Sequence, residues 1–115
     1  MKIAVSSKGT DLDSEVDSMF GNTPYTLIVD TFSLGIDVIE HSMEEKATTN
    51  TKEQTAAMIS DRGASALLTG FCSQDAFKTF NAAGVTVANY ITGTVREAVN
   101  AYIEGRVSFI DAVNT

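Results

Sequence analysis

Residues 66–91, ALLTGFCSQDAFKTFNAAGVTVANYI, decide the fold. The run ALLTG is short, apolar and closed by glycine, which is how a buried strand reads. Ser73 then opens a stretch, residues 73–83, in which Ala76, Phe77 and Phe80 share one helical face and Gly84 supplies the stop. VTVANYI, residues 85–91, is β-branched and aromatic and returns to strand. A strand, a helix and a second strand joined this way imply a parallel pair.

Working outward, residues 94–105 form the next helix. Thr94 precedes Glu97 by three positions, a capping box, and Ala98, Val99, Tyr102 and Ile103 lie on one face. Upstream, Ala56, Ala57, Ile59 and Ser60 mark a helix that Asn50 or Thr51 would cap, with Glu53 in its first turn and Gly63 closing it. Further back the period changes from 3.6 to two. Residues 2–7 (KIAVSS), 25–31 (YTLIVDT) and 36–41 (IDVIEH) read as strands, and the short turn 32–35 makes the last two an antiparallel hairpin. Residues 11–24 and 42–50 are polar and read as loops. A β-meander followed by αβαβα predicts an α/β fold, a mixed five-stranded sheet flanked by helices in the ribonuclease H-like arrangement. The expected organisation is a single domain over residues 1–107 and a C-terminal tail over 108–115.

Composition narrows the function classes. The chain has 115 residues, enough for one core without metal or disulfide support, and its single cysteine allows no internal disulfide. Eight Lys and Arg against fifteen Asp and Glu leave a net charge of −7, and no two cations are adjacent. Such a field repels nucleic acids and anionic membranes. With no membrane-length apolar run and no basic-then-apolar start, the expectation is a cytoplasmic domain. Asp11, Asp13, Glu15 and Asp17 alternate along the first loop, which reads as a solvated acidic segment; it lacks the glycine and terminal glutamate of a calcium loop.

Catalytic chemistry finds little support. A metal-dependent nuclease on this fold needs carboxylates on its central strands, and residues 2–7 and 66–70 contain none. Cys72 and His41 are the sole thiol–imidazole candidates, with no GxSxG elbow beside them. One Cys and one His do not make a zinc site, and no dinucleotide or P-loop glycine motif occurs. Geometry remains. If strand 2–7 is central, the carboxyl ends of the parallel strands bring together Ser6, Ser7, Lys8 and Gly9 with residues 69–73 and 90–94. Two of these ends run into helix N-termini, where free N–H groups favour an anion, and Gly70 and Gly93 permit close approach. A thiolate at Cys72 would suit iron, copper or molybdenum–sulfur species, with His41 as a second candidate ligand.

The segment DSEVDSMFGNTPY, residues 13–25, resembles the loop-and-strand signature of the dinitrogenase iron–molybdenum cofactor biosynthesis family, in its small NifX and NifB C-terminal type. Residues 66–70 with Ala76 and Phe77 resemble the family's next block, and residues 93–99, GTVREAV, its last. The resemblance implies a ribonuclease H-like fold without nuclease activity, and the expectation is a non-enzymatic protein. It also implies binding or carrying of an iron–molybdenum cofactor or a related anionic metal–sulfur cluster, with the protein that delivers or accepts it as partner. On that reading Phe20, Gly21 and Asn22 shape one wall, Ser6 and Ser7 the floor, and Gly70, Cys72, Ser73, Gly93 and Thr94 present donors. Family members commonly carry Arg where this chain has Met19 and Asn22. That departure grounds the alternative, an interaction or regulatory module that keeps the fold and has lost the cluster.

Overall fold

Residues Lys2–Ser7 form strand β1, whose last five side chains are all buried. The computed structural model describes residues 2–17, 25–40, 52–70, 74–89 and 91–107. β1 lies in the middle of a five-stranded sheet, between β2 (Tyr25–Asp30) and β4 (Ala64–Leu68). β3 (Ile36–Glu40) and β5 (Thr86–Ala88) form the edges, giving the order β3-β2-β1-β4-β5. The meander pairs are antiparallel and the β1–β4 and β4–β5 pairs are parallel, the mixed sheet expected of the ribonuclease H-like arrangement.

Among the described residues, three helices cover the two faces. On one face, α1 (Lys52–Asp61) and α2 (Gln74–Ala82) place Ala56, Ile59, Phe77 and Phe80 against Ala4, Ile28, Ile39 and Leu67. On the other, α3 (Val95–Ile103) places Val95, Ala98 and Val99 against Ile3, Val5, Leu27, Val29, Ala66 and Leu68. Alternate residues of β1 therefore feed opposite cores. The helical faces are narrower than expected: Ala57 and Ser60 are exposed on α1, and Ile103 is 52% exposed on α3.

Strand limits follow the available partners. The fourth strand begins at Ala64, two residues before the expected start. Gly63, at φ +85°, ends the turn after α1 in a left-handed conformation and delivers Ala64 directly opposite Lys2. It ends at Leu68: the Thr69 N–H still donates to the Ala88 carbonyl on the β5 side, and the next N–H, that of Gly70, turns to the Asp17 carbonyl. The fifth strand, expected over residues 85–91, is confined to Thr86–Ala88. Among the described strands its neighbour is β4, and the last pair in their register is Leu68 with Ala88.

The expected solvated loop is also corrected where it is described. Residues 11–17 fold onto the body, Val16 is buried, and Asp17 is 8% exposed. Asp11, Asp13 and Glu15 do face solvent. The caps expected at Asn50 or Thr51 and at Ser73, and the tail over 108–115, lie outside the described residues.

In the hairpin the Asp30 carboxylate accepts from the N–H groups of Phe32 (2.8 Å) and Ser33 (3.2 Å). These two bonds favour its ionised form and hold its pKa below the ordinary aspartate value. The stabilisation is therefore present above the unfolded pKa and is lost as pH falls through the lowered folded value. Asp30→Asn keeps a side-chain acceptor and removes the charge, so the stability gap between the two proteins narrows on acidification; urea melts at pH 7 and pH 3 measure it. Phe80, fully buried, sets the scale for the core. Phe80→Ala costs about 3–5 kcal/mol in the same melts at neutral pH.

Candidate functional site

The carboxyl ends of β1 and β4 stop side by side, and the strand register brings the ends of β2 and β3 to the same edge. Ser7 pairs with Tyr25, and Tyr25 pairs with Glu40. The described neighbours of three further segments are thus gathered along one end of the sheet: Asp17 and Tyr25 flank residues 18–24, Glu40 precedes His41, and Gly70 precedes residues 71–73. Phe20, Gly21, Asn22, His41, Cys72 and Ser73 themselves lie outside the described residues.

Ser6 and Ser7 are fully buried and both hydroxyls bond within the protein. Ser6 Oγ donates to Thr69 Oγ1 at 2.7 Å, tying β1 to the residue just past β4. Ser7 Oγ donates to the Gly9 carbonyl at 2.8 Å and accepts from the Gly9 N–H at 3.1 Å, closing a tight turn around Lys8. Thr69 links the next loop as well, since its carbonyl accepts from the Ile91 N–H at 3.1 Å. The serines and Thr69 form a polar layer above the two apolar cores, with the Ser6–Thr69 bond fully buried and the Ser7–Gly9 bonds partly so.

Residues 12–17 run across this layer as a strap. Val16 lies opposite Ser7 and Glu15 opposite Thr94, both in antiparallel sense. The Lys8 N–H donates to the Glu15 carbonyl, the Asp17 N–H to that of Ser6, and the Val16 N–H to that of Gly93. Between the strap and the loops after β4 and β5 lies an open crevice of about 320 Å³, lined by Lys8, Glu15, Val16, Gly70 and residues 91–93.

The strap changes what α3 offers. The sequence leads one to expect free N–H groups at its N-terminus, yet those groups have partners inside the protein. Val95 N–H donates to the Ser14 carbonyl at 2.9 Å and Arg96 N–H to that of Leu12 at 2.8 Å. The capping box takes the others: Thr94 N–H donates to Glu97 Oε1 at 2.9 Å, and Glu97 N–H donates to Thr94 Oγ1 at 3.1 Å. The helix dipole is met by a carboxylate and two carbonyls. The backbone that lines the crevice belongs instead to the loop before the helix. Thr92 and Gly93 are exposed, and among the described residues their N–H groups have no hydrogen-bond partner.

Charge at the crevice is mixed. Lys8 Nζ stands 3.9 Å from Glu15 Oε2, with both side chains more than half exposed. Arg96 is held by Asp13 at 3.2 Å. Among the described residues no group of three His, Cys, Asp or Glu side chains converges on one point. Sequence reasoning brought Ser6, Ser7, Gly70, Gly93 and Thr94 to this end of the sheet, where the structure has them. It missed the strap, for which the apolar Leu12 and Val16 amid acidic residues were the available signal.

Known proteins match over nearly the whole chain. The family model described as dinitrogenase iron–molybdenum cofactor matches residues 1–105. Among solved structures, the apo form of the orange protein from Desulfovibrio gigas superposes with a TM-score of 0.87 at 28% identity, covering 99% of this chain and 96% of that one. A NifB-like protein from Thermotoga gives 0.80 at 31% identity over 99% and 97%. A dinitrogenase-like protein from Methanocaldococcus jannaschii shares the fold, with a TM-score of 0.69 at 22% identity over 98% and 97%. No curated protein matches the chain.

Gly93 is the backbone residue on which the crevice turns. Its φ is +90°, and a Cβ there would stand 2.6 Å from Glu97 Oε1, the atom that caps α3. Gly93→Ala therefore strains the turn and displaces the cap at once. The expected loss is about 1–3 kcal/mol, read from urea midpoints, with the fold retained by circular dichroism.

Proposed function

The chain belongs to the dinitrogenase iron–molybdenum cofactor family, and from that premise we propose that it binds or carries an iron–molybdenum cofactor or a related anionic metal–sulfur cluster as cargo, without catalysing a reaction. The observation that carries this reading is the crevice at the carboxyl ends of the parallel strands. Its wall at Thr92 and Gly93 carries backbone N–H groups with no partner among the described residues, and Gly70, also lining it, has no side chain to obstruct a bulky guest. An inorganic cluster offers sulfide and oxide acceptors on its surface, and N–H groups at a left-handed glycine meet such acceptors without an additional side chain.

In this reading Ser6 and Ser7 are the buried floor that holds the loops in place. Gly70, Gly93 and Thr94 frame the opening, and Phe20, Gly21, Asn22 and Ser73 complete the walls. Cys72, two residues beyond Gly70, supplies a thiolate to a soft metal, with His41 as a further ligand. The natural partner is a cytoplasmic protein that delivers the cluster or accepts it. The second reading, an interaction module that kept the fold and lost the cargo, draws support from the occupied α3 N-terminus and from Met19 and Asn22 in place of the family's arginines.

Anaerobic reconstitution with iron, molybdenum and sulfide, followed by elemental analysis and an absorption spectrum, separates the two. The cargo reading expects a coloured protein with stoichiometric metal and a charge-transfer band that Cys72→Ser alters. A colourless wild-type protein with no bound metal selects the interaction module. Unchanged uptake by Cys72→Ser removes the thiolate from the proposal.

A further inference from the structure

Lys8 is placed at the crevice with unusual care for an exposed lysine. The Ser7 hydroxyl bonds to both polar groups of Gly9, and the Lys8 N–H is fixed to the Glu15 carbonyl at 3.0 Å. Its backbone is thus pinned on both sides at the rim of the cavity that it lines together with Gly93 and Gly70. Its side chain is not pinned. The ammonium is 3.9 Å from the Glu15 carboxylate, the longest of the ion pairs seen among the described residues, and both groups are largely in water. Arg96 and Arg106 are committed to Asp13 and Glu104 at shorter range, and Arg62 to Asp37. Lys2 starts β1 at the other end of the sheet, and Lys78 faces the groove between α1 and α2. Among the described residues, Lys8 is the cation that lines this crevice.

We propose that Lys8 is the anion-pairing residue of the crevice and that Glu15 is its built-in competitor, so that an oxyanion or thioanion binds by taking the ammonium from Glu15. The inference rests on the crevice being the cargo site and adds how its charge is read. With α3 sealed by the strap, an entering anion meets the Thr92 and Gly93 N–H groups on one side and Lys8 on the other. An exposed pair at this separation is weak, so the exchange is cheap. It also makes the site selective, because a neutral guest has nothing to offer in place of Glu15.

The test is a titration of the full chain with molybdate, followed by amide chemical shifts. Wild type is expected to show saturable shifts at Gly70, Thr92 and Gly93. Lys8→Gln should weaken binding about tenfold, and Glu15→Gln should tighten it about three- to fivefold. In the Lys8→Gln background, Glu15→Gln should add nothing, since the competition is over the lysine. Arg62→Gln and Asp37→Asn make the same charge changes at the far end of the sheet and should leave binding unchanged. Absence of crevice shifts in wild type overturns the proposal. So does a Glu15→Gln gain that persists without Lys8, or an equal effect of the distant pair, either of which points to the general field. Urea midpoints near wild type for the variants confirm that they fold. If all variants reconstitute cluster equally, the role of Lys8 fails while the cargo reading stands. If the molybdate pattern appears but no cluster loads, the anion site stands and the cargo reading fails.

Discussion

β1 has a partner on each edge and a core on each face, and the rest of the molecule is arranged around that confinement. Nothing polar on its backbone can reach water until the strand ends, so hydrogen bonding has to be completed where the chain emerges. It is completed locally by the Ser7 hydroxyl on Gly9 and laterally by Ser6 on Thr69. The strap over residues 12–17 then returns across the same end and bonds back to Ser6 and Lys8. The crevice is the space left between that return and the loops after β4 and β5. Its position is a consequence of β1 being central, and its shape is a consequence of how the end of β1 is satisfied.

The same strap decides the electrostatics. A helix N-terminus beside a parallel-strand end ordinarily leaves several N–H groups for an anion. Here Ser14 and Leu12 carbonyls and the Glu97 carboxylate use them, and the dipole of α3 is spent inside the protein. What opens outward is the preceding loop, held in its left-handed turn at Gly93. A site built from loop amides and one exposed lysine attracts anions less strongly than a bare helix end, and it is correspondingly easier to empty. On the proposed cargo reading, weak and exchangeable contacts are an advantage, because release must not require unfolding.

Much of this was legible in the sequence because it is local. The capping box at Thr94 and Glu97, the hairpin turn before Ile36 and the pairing of Phe77 with Phe80 on one helical face are each set by residues a few positions apart. The central place of β1 enters the sequence reading only as a condition, which the strand order meets. The strap did not, because its bonds join Leu12 to Arg96 and Ser14 to Val95, across most of the chain, and its acidic composition imitates a solvated loop. The short β5 was hidden for a related reason. VTVANYI has strand chemistry throughout, yet a strand lasts only as long as its neighbour, and the chain after β4 turns to Asp17 at Gly70. Lys8 stood at the expected strand end, but its meaning depends on Glu15 lying opposite, which only the strap's register reveals.

The net charge of −7 bears on the site less than its size suggests. At physiological ionic strength an exposed charge is screened over about 8 Å, so acids scattered over the surface act weakly on a guest inside the crevice. The charges that matter are those at contact, and there Lys8 and Glu15 nearly cancel. A guest with more than one negative charge tips that balance, because it competes for a single ammonium against a single carboxylate while also collecting the Thr92 and Gly93 N–H groups. On the proposed exchange, selectivity for a multiply charged anion needs no basic patch, only one lysine held loosely enough to change partners.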